Sequence, residues 1–218
     1  MEQKIKNKKY KYYEIKVTIK DTHPPVWRRL QVPEGITFHE LNAIIQLAFD
    51  WCGYHAYNFE VGATLHQGGI FIELPDLDDG WGYYEVRNSK REKIDTYFKE
   101  YKRMKYTYDF GDNWIHNILI EKIVETDIKL RKPICVKAKM ADLPEDCGGP
   151  YGYDELLDIL ADKSNKRHNA MKEWVENSYS TWRDDREFVD IEEINERLED
   201  YKDHAKFLLG DGYWWVWM

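Results

Sequence analysis

Two runs of strict alternation, separated by a proline pair, constrain this chain more than any other feature. Tyr13, Ile15, Val17 and Ile19 alternate with Glu14, Lys16 and Thr18, and Val26 to Val32 resumes the alternation after His23-Pro24-Pro25. A period of two sends successive side chains to opposite faces, so each run predicts a half-buried strand. The prolines lack a donor and restrict the residue before them, so the chain turns between the runs. Thr37 then stands three residues before Glu40, the spacing at which hydroxyl and carboxylate cap each other's backbone amides. The helix predicted there carries Leu41, Ile44, Ile45 and Ala48 on one face. Cys52-Gly53 ends it, and Tyr57 to Val61 predicts a third strand.

The glycine-rich stretch Gly62 to Gly82, with Asp76, Asp78 and Asp79, reads as a long excursion. Ile94 to Tyr101 reads as a short helix. Lys105 to Phe110 and Trp114 to Val124 flank the turn Gly111-Asp112-Asn113 as a hairpin, and Ile134 to Ala138 is a further short strand. Leu143 to Gly152 is dense in turn formers. Tyr153 to Ala161 has helical spacing, and Asp190 with Glu193 caps a helix bearing Ile191, Ile194, Leu198, Tyr201, Ala205 and Leu208. The fold expected is α+β: a mixed sheet of about five or six strands, the Thr37 helix packed on it, and an acidic helical C-terminal third. We expect a basic segment at 1–11 and a single domain over 12–218, with its core in 12–160 and a helical extension in 161–218.

The chain has 218 residues and a formal charge of -8, yet residues 1–40 hold nine Lys and Arg against five Asp and Glu. A net acidic field opposes nucleic acid except through a local basic patch, and such contacts would be strongly salt-dependent. No apolar run reaches the roughly 18 residues of a spanning helix, and no apolar segment follows the Lys-rich N-terminus, so neither membrane nor secretion is expected. Three cysteines without a C-x-x-C pair predict neither a disulfide framework nor a thiolate zinc site, which fits a cytoplasmic protein with no disulfide-linked partner. Phosphate-loop, dinucleotide-loop and zinc-hydrolase signatures are absent, and Asp109-Phe110-Gly111 lacks the rest of a kinase set.

Chemistry concentrates in two polar turns. Tyr106 to His116 places Asp109, Asp112 and His116 about one hairpin, and Pro144 to Pro150 adds Glu145, Asp146 and Cys147 among glycines. Carboxylates with an imidazole can orient a general base or hold a divalent ion such as Mg²⁺ or Mn²⁺. In the metal-assisted reading Asp112, Glu145 and Asp146 are ligands and His116, oriented by Asp109, is the base. The plainer reading makes the acids turn caps and leaves His116 packed in the sheet. Cys147, beside two carboxylates, lacks the setting of a nucleophile. A binding surface is the other expectation: a groove between the sheet and the Gly62 to Gly82 loop, floored by Trp27, Tyr57 and Trp114, with Arg28 and His55 among its binding residues. Of Arg28 and Arg29 only one can face any one groove, and pairing with an internal acid is the plainer role.

Taken in order, PPVWRRLQVP (24–33), AFDW (48–51), HAYNFEV (55–61), YTYDFGDNWIH (106–116), Pro133-Ile134-Cys135 and LPEDCGGPYGY (143–153) resemble the plasmid pRiA4b ORF-3-like family. The chain departs from that pattern at Leu143, where a proline is usual, and after Cys135, where a glycine is. The resemblance implies an α+β fold and a link to plasmids and mobile elements, and the family has no established activity. Some members are described as insertion-element resolvases, but no serine or tyrosine recombinase signature stands here. The function expected is therefore a binding or accessory module for a protein, peptide or nucleic acid, with the divalent-metal hydrolase or nuclease as alternative. A third reading is an interaction protein that multimerises through Tyr213 to Met218.

Overall fold

The computed structural model describes residues 9–63, 68–74, 85–179 and 181–209. The alternating runs form strands β1 (Tyr10–Ile19) and β2 (Trp27–Pro33), and helix α1 (Phe38–Phe49) follows. The Thr37 hydroxyl accepts the Glu40 amide at 3.1 Å while the Glu40 carboxylate accepts the Thr37 amide at 2.8 Å, the reciprocal cap expected. Then come β3 (Tyr57–Val61), β4 (Ile70–Glu73), β5 (Glu85–Asn88), α2 (Ile94–Phe98), β6 (Arg103–Tyr108), β7 (Trp114–Thr126) and β8 (Ile134–Lys139). Helices α3 (Gly149–Ala161), α4 (His168–Ser178), α5 (Ile191–Glu199) and α6 (Tyr201–Phe207) complete the chain.

The sheet corrects the expected fold, having eight strands rather than five or six, in the order β5-β4-β3-β6-β7-β1-β2-β8. The additional strands, β4 and β5, lie in and just beyond the stretch read as an excursion. They are four residues each, too short for alternation to declare them, and they pair in parallel while every other pair is antiparallel. Helix is likewise not confined to an acidic C-terminal third. Among the described residues there are six helices, of which α1 and α2 precede β6.

One face of the sheet buries Tyr13, Ile15, Val17, Leu30, Val32, Phe59, Tyr106 and Ile118 against Leu41, Ile44, Ile45 and Phe49 of α1. Each fully buried Leu, Ile or Phe contributes about 1.5–3 kcal/mol, so this layer dominates the stability. Phe98 of α2 meets Tyr13 edge-on at 5.1 Å between ring centroids. Helices α5 and α6 cover α1, joined to it by Arg197 Nε donating to the Leu47 carbonyl and by His39 Nε2 against the Ala205 carbonyl at 2.7 Å. No helix among the described residues is long and apolar enough to cross a membrane, and Cys52, Cys135 and Cys147 are free thiols. Residues 1–8 of the basic segment and the Trp-rich end at 213–218 lie outside the described residues.

Candidate functional site

Three connections meet at the end of the sheet where β3 begins and β6 ends. The first follows α1, whose last turn closes on Asp50 in the left-handed region (φ 58°). Gly53 (φ 77°) follows, and a side-chain carbon there would strike Leu208. The second is the β6–β7 turn, with Asp109 and Asn113 both at positive φ. Aspartate and asparagine tolerate this region because their short polar side chains bond locally. The third runs from Ala141 to Gly148.

Indole and carboxylate groups stitch the three together. Trp51 donates to the Leu143 carbonyl (2.8 Å) and Trp114 to the Glu145 carbonyl (2.7 Å). The Glu145 carboxylate accepts the Cys52 amide (2.8 Å) and the Tyr108 hydroxyl (2.6 Å), and its burial pushes its pKa up. Asp112 accepts the Gly148 and Gly149 amides at 2.9 and 3.0 Å, capping α3 from another loop. Gly149 is at φ 71° and a Cβ there would collide with the Asp112 backbone oxygen, so the close approach requires glycine.

What converges is His55, Asp109 and Asp146. His55 Nε2 lies 3.0 Å from Asp146 Oδ1 and 3.7 Å from Asp109 Oδ2, and one donor atom from each residue lies within 4.8 Å of the others. Asp109 is held by three bonds: its amide donates to Ala56, its carbonyl accepts from Asn113, and Oδ1 accepts the Gly111 amide at 2.9 Å. Its Oδ2 is thereby turned to the imidazole. The Asp146 hydrogen bond, with both carboxylates adding, holds the His55 pKa above its ordinary value. The side chains of His55 and Asp146 are 27 % and 54 % exposed, so water and small ions reach them. Beside Asp146 opens a groove of about 280 Å³ between α3 and α4, lined by Cys147, Glu155, Leu156, Arg167 and Trp174.

The other expected site residues lie elsewhere. His116 is fully buried among Phe49, Trp51 and Tyr106, its Nδ1 against the Trp114 carbonyl, and burial lowers its pKa to about 3. It alternates with Trp114, Ile118 and Ile120 on the inward face of β7, which removes it from the carboxylates as a base. Glu145 commits both oxygens, to the Cys52 amide and the Tyr108 hydroxyl, and Asp112 commits Oδ2 to the Gly148 and Gly149 amides, so both serve to shape the site. Arg28 is fully buried, donating to the carbonyls of Trp27, Ala48, Lys139 and Met140 and to Asp142 at 2.6 Å. Trp27 is on the opposite face of the same strand. Tyr57 is inward, its hydroxyl 2.8 Å from His39 Nδ1, and Trp114 is wholly buried. Strand parity therefore divides the aromatic floor between two faces, and it is no single groove. Burial pushes the Cys147 thiol up to about 12, which opposes the thiolate a nucleophile would need.

His55 is a candidate in the sequence, but it stands 54 residues from Asp109 and no local pattern joins it to the acids. The juxtaposition comes from the antiparallel register Tyr57↔Tyr108, which continues as Ala56 opposite Asp109. Tyr179, whose hydroxyl accepts the Asp146 amide at 3.4 Å, carried no signal in the sequence.

The chain matches the model of the plasmid pRiA4b ORF-3-like protein family over residues 11–193. It is 34% identical over 166 residues to the uncharacterized protein y4hQ of Sinorhizobium fredii, covering 75% of this chain and 80% of that one. It is also similar to a solved structure, the protein of unknown function MM3350 from Methanosarcina mazei Go1. The TM-score there is 0.70 and the identity 35%, with 84% of this chain and 97% of the other covered. With the match running from β1 through both polar turns and α4 to the first turn of α5, this chain belongs to the plasmid pRiA4b ORF-3-like family.

Proposed function

We propose that the protein is a binding module built around one divalent transition-metal ion held by His55, Asp109 and Asp146. The observation that carries this reading is the convergence of an imidazole nitrogen and two carboxylate oxygens within 4.8 Å of one another on three rigidly stitched connections. Ligands about 2.1 Å from a common ion stand roughly 3.0–3.4 Å apart in octahedral or tetrahedral geometry; the His55–Asp146 spacing of 3.0 Å meets that range, and Asp109, at 3.7 Å from His55, needs only a small side-chain movement to join it. An imidazole in the set favours zinc, iron or nickel over magnesium, so the ion expected from the acids alone changes in kind. Water would complete the coordination on the exposed side. A cytoplasmic setting, and a protein or peptide approaching the open side of the ion, belong to the same proposal.

Isothermal titration with Zn²⁺ and Mn²⁺, and with Mg²⁺ for comparison, tests it. One ion per chain is expected, weakened at least tenfold by Asp146→Asn, since even partners that only support a metal ligand are typically worth about 10–100-fold in affinity. Absence of binding at millimolar ion, or equal binding by Asp146→Asn and His55→Ala, refutes it. The hydrolytic alternative keeps one favourable observation: the groove begins at Asp146, so a substrate seated there would lie beside the ion. In that reading the imidazole at the centre is His55.

A further inference from the structure

The outward face of the sheet carries a pattern that the ion site does not use. Cross-strand partners share a face, so the registers assemble rows that run across the strands. One row is Arg103, Leu119, Lys16, Arg29 and Lys137, contributed in turn by β6, β7, β1, β2 and β8. The adjacent row is Lys105, Asn117, Thr18, Trp27 and Lys139. Six cations and no acid occupy these two rows, in a chain whose formal charge is -8. At about 4.8 Å between strands the band is roughly 19 Å long, and two residues of strand make it roughly 7 Å wide.

Two acids reach the band from its margins. Glu121, extruded by a bulge in β7, grips Arg29 through both oxygens at 2.6 and 2.9 Å, and Glu60 pairs with Lys105. Just outside the band Glu14 is held by Lys122 at 2.7 Å. Lys16, Lys102, Arg103, Lys137 and Lys139 have no carboxylate partner within salt-bridge distance among the described residues. The Lys16 ammonium rests 4.5 Å from the centre of the Trp27 ring, which fixes it over the sheet. Two shallow hollows share Lys102. One, of about 720 Å³, is lined by Tyr101, Arg103, Lys105 and Asn117 with Glu60 and Glu100; the other, of about 560 Å³, by Arg29, Leu119 and Lys122 with Glu14 and Glu121.

We infer that this face binds a single strand of nucleic acid laid across β6–β7–β1–β2–β8, its phosphates on the cationic band and a base against Tyr101. The charge is complementary to a polyanion, and the band has the width of one backbone. A duplex would set its second backbone beyond a groove roughly 6–12 Å wide, where the flanking cations are already ion-paired, Lys122 with Glu14 on one side and Lys20 with Asp21 beyond Thr107 and Ile115 on the other. Aromatic rings beside basic residues suit stacking without sequence preference.

Fluorescence anisotropy of the full chain with a fluorescein-labelled oligothymidylate of about twenty nucleotides, in EDTA, tests the inference independently of the ion site. Saturable binding is expected, with log K falling against log salt at a slope of roughly -2 to -3.5, about 0.7 for each phosphate neutralised by three to five cations. Lys16→Gln/Arg103→Gln/Lys137→Gln should weaken binding at least tenfold and flatten the slope by about 2. Lys163→Gln/Lys166→Gln/Lys172→Gln, an equal charge change on the α3–α4 side, should leave both unchanged. No binding at 50 mM salt, equal loss in both variants, or equal competition by the matching duplex or by polyglutamate would overturn it. Unchanged circular dichroism certifies that each variant is folded.

Discussion

Glu145 separates a residue that ties the site together from one that grips an ion. It is 3 % exposed, and its two oxygens receive the Tyr108 hydroxyl and the Cys52 amide. Glu145→Leu keeps the volume but strands both donors. An unsatisfied buried donor costs about 1–3 kcal/mol. Tyr108 is wholly buried and incurs the full cost, while Cys52, at the edge, regains some of its loss from water. The expected loss is therefore about 2–4 kcal/mol, reduced a little by removal of a carboxyl whose ionisation burial already opposes. Glu145→Gln retains one acceptor, and Tyr108 can reverse its hydroxyl, so its cost should be about 1 kcal/mol. Urea unfolding at neutral pH measures both, and Zn²⁺ titration of Glu145→Gln should return the wild-type affinity within about threefold. A Glu145→Leu chain as stable as wild type would refute the stitching argument. A folded Glu145→Gln chain that no longer binds the ion would return Glu145 to the coordination sphere.

Three further outcomes follow from the same contacts. Arg28→Met strips the partner from four carbonyls and Asp142, so unfolding should come about 3–5 kcal/mol sooner in urea, and Arg28→Lys, without the planar fork, should recover little. Asp112→Ala uncaps α3 and should cost about 1–2 kcal/mol, seen as faster amide exchange at Gly148 and Gly149. His116 is neutral when folded, with a pKa of about 3, and takes a proton near 6.5 when unfolded. The unfolded chain binds the extra proton between these values, so His116 lowers stability as pH falls from about 6.5 towards 3, by up to about 1.4 kcal/mol per unit. Wild type and His116→Phe should therefore differ by an amount that drifts with pH in that window. A constant difference would mean that His116 titrates normally.

Local pattern made most of the elements legible. Alternation located β1 and β2, the turn at Gly111-Asp112-Asn113 located the β6–β7 hairpin, and the Thr37–Glu40 and Asp190–Glu193 spacings located the starts of α1 and α5, because each is decided by neighbours a few residues apart. Parity also supports the plainer readings of two polar residues: Trp114, His116, Ile118 and Ile120 share a face, as do Val26, Arg28, Leu30 and Val32, so His116 and Arg28 are internal. Other features depend on distant partners. The strands β4 and β5 gain their identity from β3 and from each other, and α3 begins at Gly149 because Asp112 supplies its cap. The two polar turns were visible as turns. Which carboxylate would face outward was not, since Asp109 and Asp112 differ by backbone conformation and by partners 36 or more residues away.

The ion site itself is tested most directly by crystals grown with Mn²⁺ and measured for anomalous scattering. The account predicts one peak about 2.0–2.3 Å from His55 Nε2, Asp109 Oδ2 and an Asp146 oxygen, absent in crystals of Asp109→Asn. A peak held instead by Asp112 or Glu145, or none while His55 keeps its bond to Asp146, would contradict it.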